Sequence, residues 1–231
     1  MKNQWLIKLY KIDVRRGILG IHRIEPEDIQ LIQTTQEMQY FNYKNIKNVA
    51  INLKGEKQIY NASMCIEACQ ILNKQGFKIT NKAIYEGLRN VLHRARFETL
   101  YTKPTIIFDG AHNESAIQNL RKTIDSYYPV QRRIYIFSIL KSKDYKSILR
   151  QLLKTDKDDI FFFTDGIDED RYVKKEILYE EARKYRKQNM YVASLKQAIL
   201  EAKEQYTQDV IFIVGSFYAY AEVRKILKIE E

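Results

Sequence analysis

The spacing of apolar and polar positions changes near residue 104. Beyond it, short apolar, β-rich runs recur at 105–108, 133–139, 159–163, 190–193 and 209–214. Stretches with helical spacing separate them at 115–126, 145–153, 173–187 and 195–206, and a last one at 217–228 closes the chain. Strand-sized runs alternating with helices of roughly 10–15 residues predict βαβ units and a mainly parallel sheet of about five or six strands. Right-handed crossovers place helices on both faces of that sheet, so the expected class is α/β with a Rossmann-like carboxyl-terminal domain.

The preceding part reads differently. A strand is expected at 48–53, a turn at Lys54-Gly55-Glu56, and a helix at about 60–73. Met64, Cys65, Ala68, Cys69, Ile71 and Leu72 form a wide apolar stripe on that helix, expected to face a core. Gly76 ends it, and Thr80 caps a second helix running to about residue 91. Strand-like runs at 5–9 and 39–43 complete no recognisable pattern. The expected division is therefore an incomplete domain at 1–102 followed by a complete one at 103–231.

Composition narrows the class. With 45% hydrophobic and 29% charged residues among 231, the chain can bury a core. Its longest apolar runs, such as 160–163 and 210–214, fall far short of the ~18–20 residues of a membrane span. Residues 1–10 lack the apolar region of a signal peptide, and a cytoplasmic protein is expected. Cys65 and Cys69, one helical turn apart, cannot build a disulfide framework and have no neighbouring pair for zinc; they are expected to pack as small hydrophobes. The net charge of +10 is uneven: residues 1–103 carry 17 Lys/Arg against 9 Asp/Glu, whereas 104–231 carry 22 against 20. A basic half suits polyanions such as nucleotides, or is simply a lysine-rich solvated surface. No nucleic-acid-binding motif accompanies it, and no nucleic-acid partner is expected.

The chemistry gathers where strands end. The run at 105–108 leads into Asp109-Gly110-Ala111-His112-Asn113. In a parallel sheet that loop lies at the carboxyl ends of the strands, where ligands bind. A carboxylate there can accept hydrogen bonds from ribose hydroxyls and an imidazole can bond a substrate carboxylate; the plainer alternative is an Asp-Gly turn with Asn113 as helix cap. Lys143 and Asp144 follow another strand, and Asp144 can cap the next helix. Gly215-Ser216 ends the last strand, where Ser216 could hold a carboxylate or serve as a cap. The acidic loop Asp165, Asp168, Glu169, Asp170 has no calcium-loop spacing and reads as a solvated turn. Glycines stand at 17, 20, 55, 76, 87, 110, 166 and 215, no two of them five apart, so a phosphate-cradling P-loop is excluded.

These strings together resemble the carboxyl-terminal half of folylpolyglutamate synthase/dihydrofolate synthase, in the muramyl-ligase superfamily. The likeness runs from Gly55 to Leu227. Gly55-Glu56-Lys57-Gln58-Ile59-Tyr60-Asn61-Ala62 is similar to the family's Gly-x-x-Gln-x-x-Asn-Ala, and Asp109 to Asn113 is its Asp-Gly-Ala-His-Asn unchanged. Arg96-Phe97-Glu98 is similar to Gly-Arg-Phe-Glu, with Ala95 in the glycine's place and Arg94 in that of a preceding proline. Ser142-Lys143-Asp144-Tyr145 resembles Asp-Lys-Asp-Tyr, and Gly215-Ser216-Phe217-Tyr218 resembles Gly-Ser-Leu-Tyr.

The resemblance implies an ATP-dependent ligase that activates a folate or dihydropteroate carboxylate as an acyl phosphate and joins glutamate to it. It implies ATP contacts at Asn61, Arg96 and Asp109, and glutamate contacts at His112 and Ser216. It makes 1–102 part of a central, ATPase-type domain without its P-loop. Magnesium ligands and most of the folate site are then expected in an amino-terminal half, a possible partner, and this chain alone is expected to be inactive. The alternatives are a non-catalytic nucleotide-binding or interaction module and a piece of a related peptidoglycan-precursor ligase.

Overall fold

A computed structural model describes residues 8–13, 18–155, 158–168 and 170–229, with side chains from residue 22 onward. The chain divides into two compact units, 1–92 and 93–231.

In the first unit, β1 (Lys8–Asp13) and β2 (Ile18–Arg23) form an antiparallel hairpin. The expected strand at 5–9 thus lies partly outside the described residues. A separate antiparallel sheet has the order β3 (Ile29–Thr34), β4 (Gln39–Tyr43), β5 (Ile46–Ile51). Two helices follow, α1 (Glu56–Lys74) and α2 (Asn81–Arg89), the latter capped by the Thr80 hydroxyl accepting from the Ala83 amide. Strict alternation along β4 buries Phe41 and Tyr43 against Ile59, Ala62 and Ile66 of α1 and Ile84 and Leu88 of α2.

The buried face of α1 is not the expected stripe. The face that enters the core is Ile59, Ala62, Ser63, Ile66 and Glu67; Cys65 is exposed and only Cys69 of the cysteine pair packs against the core. Glu67 decides the phase. Its carboxylate accepts from Tyr43 Oη at 2.8 Å and from Lys44 Nζ at 2.8 Å, with His22 Nδ1 at 3.3 Å. A carboxylate paired in this way can be buried, and it brings its side of the helix inward.

The second unit holds a six-stranded sheet: β6 (Glu98–Thr102), β7 (Thr105–Asp109), β8 (Arg133–Phe137), β9 (Ile160–Thr164), β10 (Met190–Ala193) and β11 (Val210–Val214). Their spatial order is β10-β9-β8-β11-β7-β6, and only β6 runs antiparallel to its neighbour. Because β6 is bonded to β7, it lies with the second unit, and the chain divides before it. The helices are α3 (Glu114–Tyr127), α4 (Tyr145–Leu152), α5 (Lys175–Ala182), α6 (Leu195–Gln205) and α7 (Tyr220–Leu227). The expected helix at 173–187 is therefore shorter, and the one at 217–228 opens with a 3-10 turn, Phe217–Ala219.

Two-residue periodicity sends alternate side chains to opposite faces of this sheet. Ile107, Tyr135, Phe137, Phe161, Phe163 and Phe212 meet the apolar stripes of α3, α4 and α5. Ile106, Phe108, Ile134, Ile136, Phe162, Ile211 and Ile213 meet those of α6 and α7. Each such side chain contributes about 1.5–3 kcal/mol by leaving water. Connections running from β7 toward β10 put their helices on one face, and the return through α6 to β11 uses the other, as right-handed crossovers require. β11 consequently lies between two strands whose following helices pack on the opposite face to its own. That reversal opens a crevice beyond the carboxyl ends of β7, β11 and β8.

Candidate functional site

Asp109 ends β7 at this crevice. Its Oδ2 accepts from the Phe97 amide at 2.9 Å and its Oδ1 from the Ala111 amide at 2.8 Å. Burial raises its pKa; the two amides and the nearby charges of Arg96 and His112 oppose that rise. Each oxygen keeps a second lone pair, so the carboxylate is both a clamp on the polypeptide and a potential acceptor for a ligand hydroxyl.

The clamp places Arg96. The Gly110 amide donates to the Ala95 carbonyl at 2.9 Å, so the 95–97 loop is sewn to the 109–111 loop at two points. Ala95 and Phe97 both take left-handed backbone conformations, φ 58° and 44°. Glu98 holds the loop from the other side: Oε2 accepts from the Ala95 amide at 2.7 Å, and Oε1 accepts from Arg94 at 2.9 Å and from Tyr220 Oη at 3.0 Å. The glycine expected at residue 95 from the resemblance is thus replaced by an alanine that adopts the glycine-like conformation. The half-exposed Arg96 is delivered beside Asp109.

His112 donates from Nδ1 to the Gly110 carbonyl at 2.7 Å, the only role open to that nitrogen against a carbonyl. Its Nε2 is the ring nitrogen that this bond does not use. Gly110 is required for space: a Cβ there would lie 2.8 Å from a ring carbon of Phe217, which follows Ser216 at the end of β11. That close approach joins the two strand ends into one site.

Ser216 is at this crevice, and the capping alternative does not hold for it. It is 3% exposed, makes no capping hydrogen bond, and its Oγ lies 2.6 Å from Tyr172 Oη. Phe217 and Tyr218 beside it are exposed, and the Arg171 guanidinium lies over the Tyr218 ring at 4.8 Å. The plain capping alternative does hold for Asn113, which accepts from the Ala116 amide, and for Asp144, which accepts from the Ser147 amide. The acidic loop is a set of turns: Asp165 accepts from Lys175, and Asp168 from the Asp170 and Arg171 amides. Glu169 lies outside the described residues.

Arg96, Asp109, His112 and Ser216 therefore share one end of the second unit. Asn61 belongs to the first unit, on α1, where its Nδ2 donates to Gln58 Oε1 at 3.0 Å. Among the described residues no group of three or more His, Cys, Asp or Glu could hold a metal, and no helix is long and apolar enough to cross a membrane. Sequence reasoning missed Tyr172, for which no local motif gave a signal.

Residues 95–217 match the Mur ligase, glutamate ligase domain family. A dihydrofolate synthase/folylpolyglutamate synthase of Bacillus subtilis is 28% identical over 182 residues, covering 78% of this chain and 41% of that protein. The Escherichia coli protein of the same name is 25% identical over 167 residues, covering 72% of this chain and 37% of its own. Among solved structures, Mycobacterium tuberculosis folylpolyglutamate synthase complexed with ADP and AMPPCP superposes with a TM-score of 0.73 at 19% identity, over 89% of this chain and 49% of that one. The chain spans less than half the length of each of these proteins.

Proposed function

This chain belongs to the Mur ligase family through its glutamate ligase domain, and on that premise we propose that it is the carboxyl-terminal part of an ATP-dependent ligase joining glutamate to a folate or dihydropteroate carboxylate. The observation that carries the reading is the convergence of Arg96, Asp109 and His112 at the crevice beside β11, built by backbone bonds that fix each of them.

In that reaction a substrate carboxylate oxygen attacks the γ-phosphorus of ATP and ADP leaves. The amine of glutamate then attacks the acyl carbon, expelling phosphate and forming the amide. Arg96 offers a charge-assisted fork to phosphate oxygens. Asp109 accepts from a ribose hydroxyl with the lone pairs its amide bonds leave open. His112 and Ser216 orient the incoming glutamate. The first unit we read as part of a central ATPase-type domain, in which the resemblance assigns Asn61 an ATP contact of its own. Among the described residues no group of three or more His, Cys, Asp or Glu could hold a metal, and we read the magnesium ligands as belonging to an amino-terminal half. That half is the expected partner, and the cytoplasm, where ATP and folates are available, is the expected location.

The test is glutamate ligation, read as ADP release and glutamyl product, with this chain alone and with an amino-terminal half supplied. Alone, three or four contacts of ~1 kcal/mol each imply nucleotide binding only on the order of millimolar, and turnover at background. Combined, turnover should appear and should fall about 10- to 100-fold in Asp109→Ala or Arg96→Ala, the loss of a charged hydrogen bond. Micromolar ATP binding or ligation by the chain alone would overturn its reading as a partial enzyme. Continued silence with the partner half present would favour a non-catalytic module.

A further inference from the structure

Four helices among the described residues open with a side-chain cap, whereas those opened by Gly55, Lys174 and Ala219 do not. Thr80, Asn113, Asp144 and Ser194 each accept from an amide three residues on. Ser216 stands at the opening of the 3-10 turn before α7 and does not. Its hydroxyl is turned to Tyr172, 44 residues earlier, across a 2.6 Å bond buried on both sides. A serine that forgoes its local bond for a distant one is being held in place.

The holding device is built. Arg171 and Val173 bracket Tyr172 and are bonded to the segment that follows β8: the Lys141 amide donates to the Arg171 carbonyl and the Val173 amide to the Ile139 carbonyl, both at 2.9 Å. Leu140 and Tyr172 form an isolated antiparallel bridge between these bonds. The Tyr172 ring, 1% exposed, fills the space over Gly166, where any Cβ would overlap it. Phenol is the more acidic of the two hydroxyls and alkyl oxygen the better acceptor, so the favoured polarity has Tyr172 donating. Ser216 then retains its own proton for a further acceptor, and the incoming bond polarises that O–H.

We propose that Tyr172 is a positioning residue for Ser216, orienting the serine hydroxyl to donate to a carboxylate of an amino-acid substrate. The inference rests on the reading of this crevice as a glutamate site. The experiment is a titration of the full chain with L-glutamate, following the Gly110 and Ser216 amide signals by NMR. It is run on the wild type, Tyr172→Phe, Ser216→Ala and the double variant, with the melting temperature of each recorded. Tyr172→Phe should weaken binding roughly fivefold to tenfold, the scale of one hydrogen bond, while keeping the ring in its slot. Ser216→Ala should do the same, and the double variant should bind no more weakly than Ser216→Ala. A second reading needs no variant: the sheltered Tyr172 hydroxyl proton should shift when glutamate is added. Wild-type affinity in Tyr172→Phe, full additivity in the double variant, or a hydroxyl signal indifferent to glutamate would overturn the positioning role alone. Absence of any glutamate response in the wild type would overturn the site reading, and this inference with it.

Discussion

The two units solve the problem of burial in opposite ways. In 93–231 a parallel sheet is covered on both faces, and side chains alternating along β7, β8, β9 and β11 fill two cores that are almost wholly apolar. In 1–92 a three-stranded antiparallel sheet turns one face to α1 and α2, and into the margin of that smaller core comes a charged group, Glu67, held by Tyr43, Lys44 and His22. The first arrangement draws its stability from area and packing; the second adds a polar knot that ties β2, β4 and α1 together. The contrast also separates roles. The apolar frame of the second unit fixes the strand ends that carry Asp109 and Ser216, leaving the polar chemistry to the rim.

The sharpest way to break this comparison is to remove a large, fully buried apolar group from the centre of the parallel sheet. Phe212 lies on β11, fully buried, with ring contacts to Tyr135 at 5.6 Å, Tyr128 at 5.8 Å and Phe97 at 6.1 Å. Phe212→Ala should cost about 3–5 kcal/mol, the transfer loss plus the cavity that a tightly packed interior cannot close. Chemical denaturation monitored by near-ultraviolet circular dichroism measures it. A cost below about 1 kcal/mol would mean that the sheet relaxes and that packing is not what holds the frame.

A smaller effect of opposite electrostatic sign distinguishes two carboxylates. Burial alone would raise the Glu67 pKa, but the hydrogen bonds of Lys44 and Tyr43 outweigh it and hold the group below the ordinary 4.5. Its contribution is therefore present above that pH and is lost as the pH falls through the lowered value. Asp109 has its pKa raised above 3.8 by burial, so in the folded state it holds its proton to higher pH than in the unfolded chain. Stability from that group declines as the pH rises from 3.8 through the raised value. Glu67→Gln should cost about 2 kcal/mol near neutrality, as loss of charged hydrogen bonds does, and should flatten the acid limb of the stability profile. Asp109→Asn should remove the contrary slope. Urea midpoints across pH 3 to 7, in steps of about half a unit, measure both. Parallel profiles for the two variants would contradict the assignment.

The same contrast explains what could be read in advance. In the second unit helical and strand periods agree with burial, because the central strands are sandwiched and each helix has one apolar side; the strands at 105–108, 133–139, 159–163 and 209–214 were legible for that reason, and edge strand 190–193 by its apolar run although Tyr191 and Val192 are exposed. Edge strand β6 was not, since Glu98-Thr99-Leu100-Tyr101-Thr102 has no apolar run and owes its place to hydrogen bonds with β7. On α1 two apolar stripes compete, and the one chosen by an ion pair contains a glutamate that hydropathy assigns to solvent. At the site, Asp109 and His112 stood in one contiguous string whose loop is closed by its own local bonds. Tyr172 meets Ser216 only through the fold, and no spacing in the chain announces that pair.

The smallest expected effect lies where the two kinds of order meet, at Ala95. Its backbone is left-handed at φ 58°, yet its methyl group is fully buried in the core beneath α6 and α7. An L-residue in that conformation is disfavoured by roughly 1–2 kcal/mol, a strain that glycine would not carry. Glycine would surrender a buried methyl group, about 0.8 kcal/mol, and about 0.5–1 kcal/mol more in unfolded-state entropy. The terms nearly cancel, so Ala95→Gly should change stability by less than about 1 kcal/mol. The hydrogen bonds of the loop to Glu98, Gly110 and Asp109 all use backbone atoms or acidic side chains that the substitution leaves in place. Arg96 should therefore remain beside Asp109, and ADP release in the reconstituted ligase should stay within about twofold of the parent, a difference of roughly 0.4 kcal/mol. Destabilisation above about 2 kcal/mol would show that packing of the methyl group dominates here, as it does in the apolar core. A large gain would show instead that backbone strain dominates and that the alanine is tolerated at the expense of the fold.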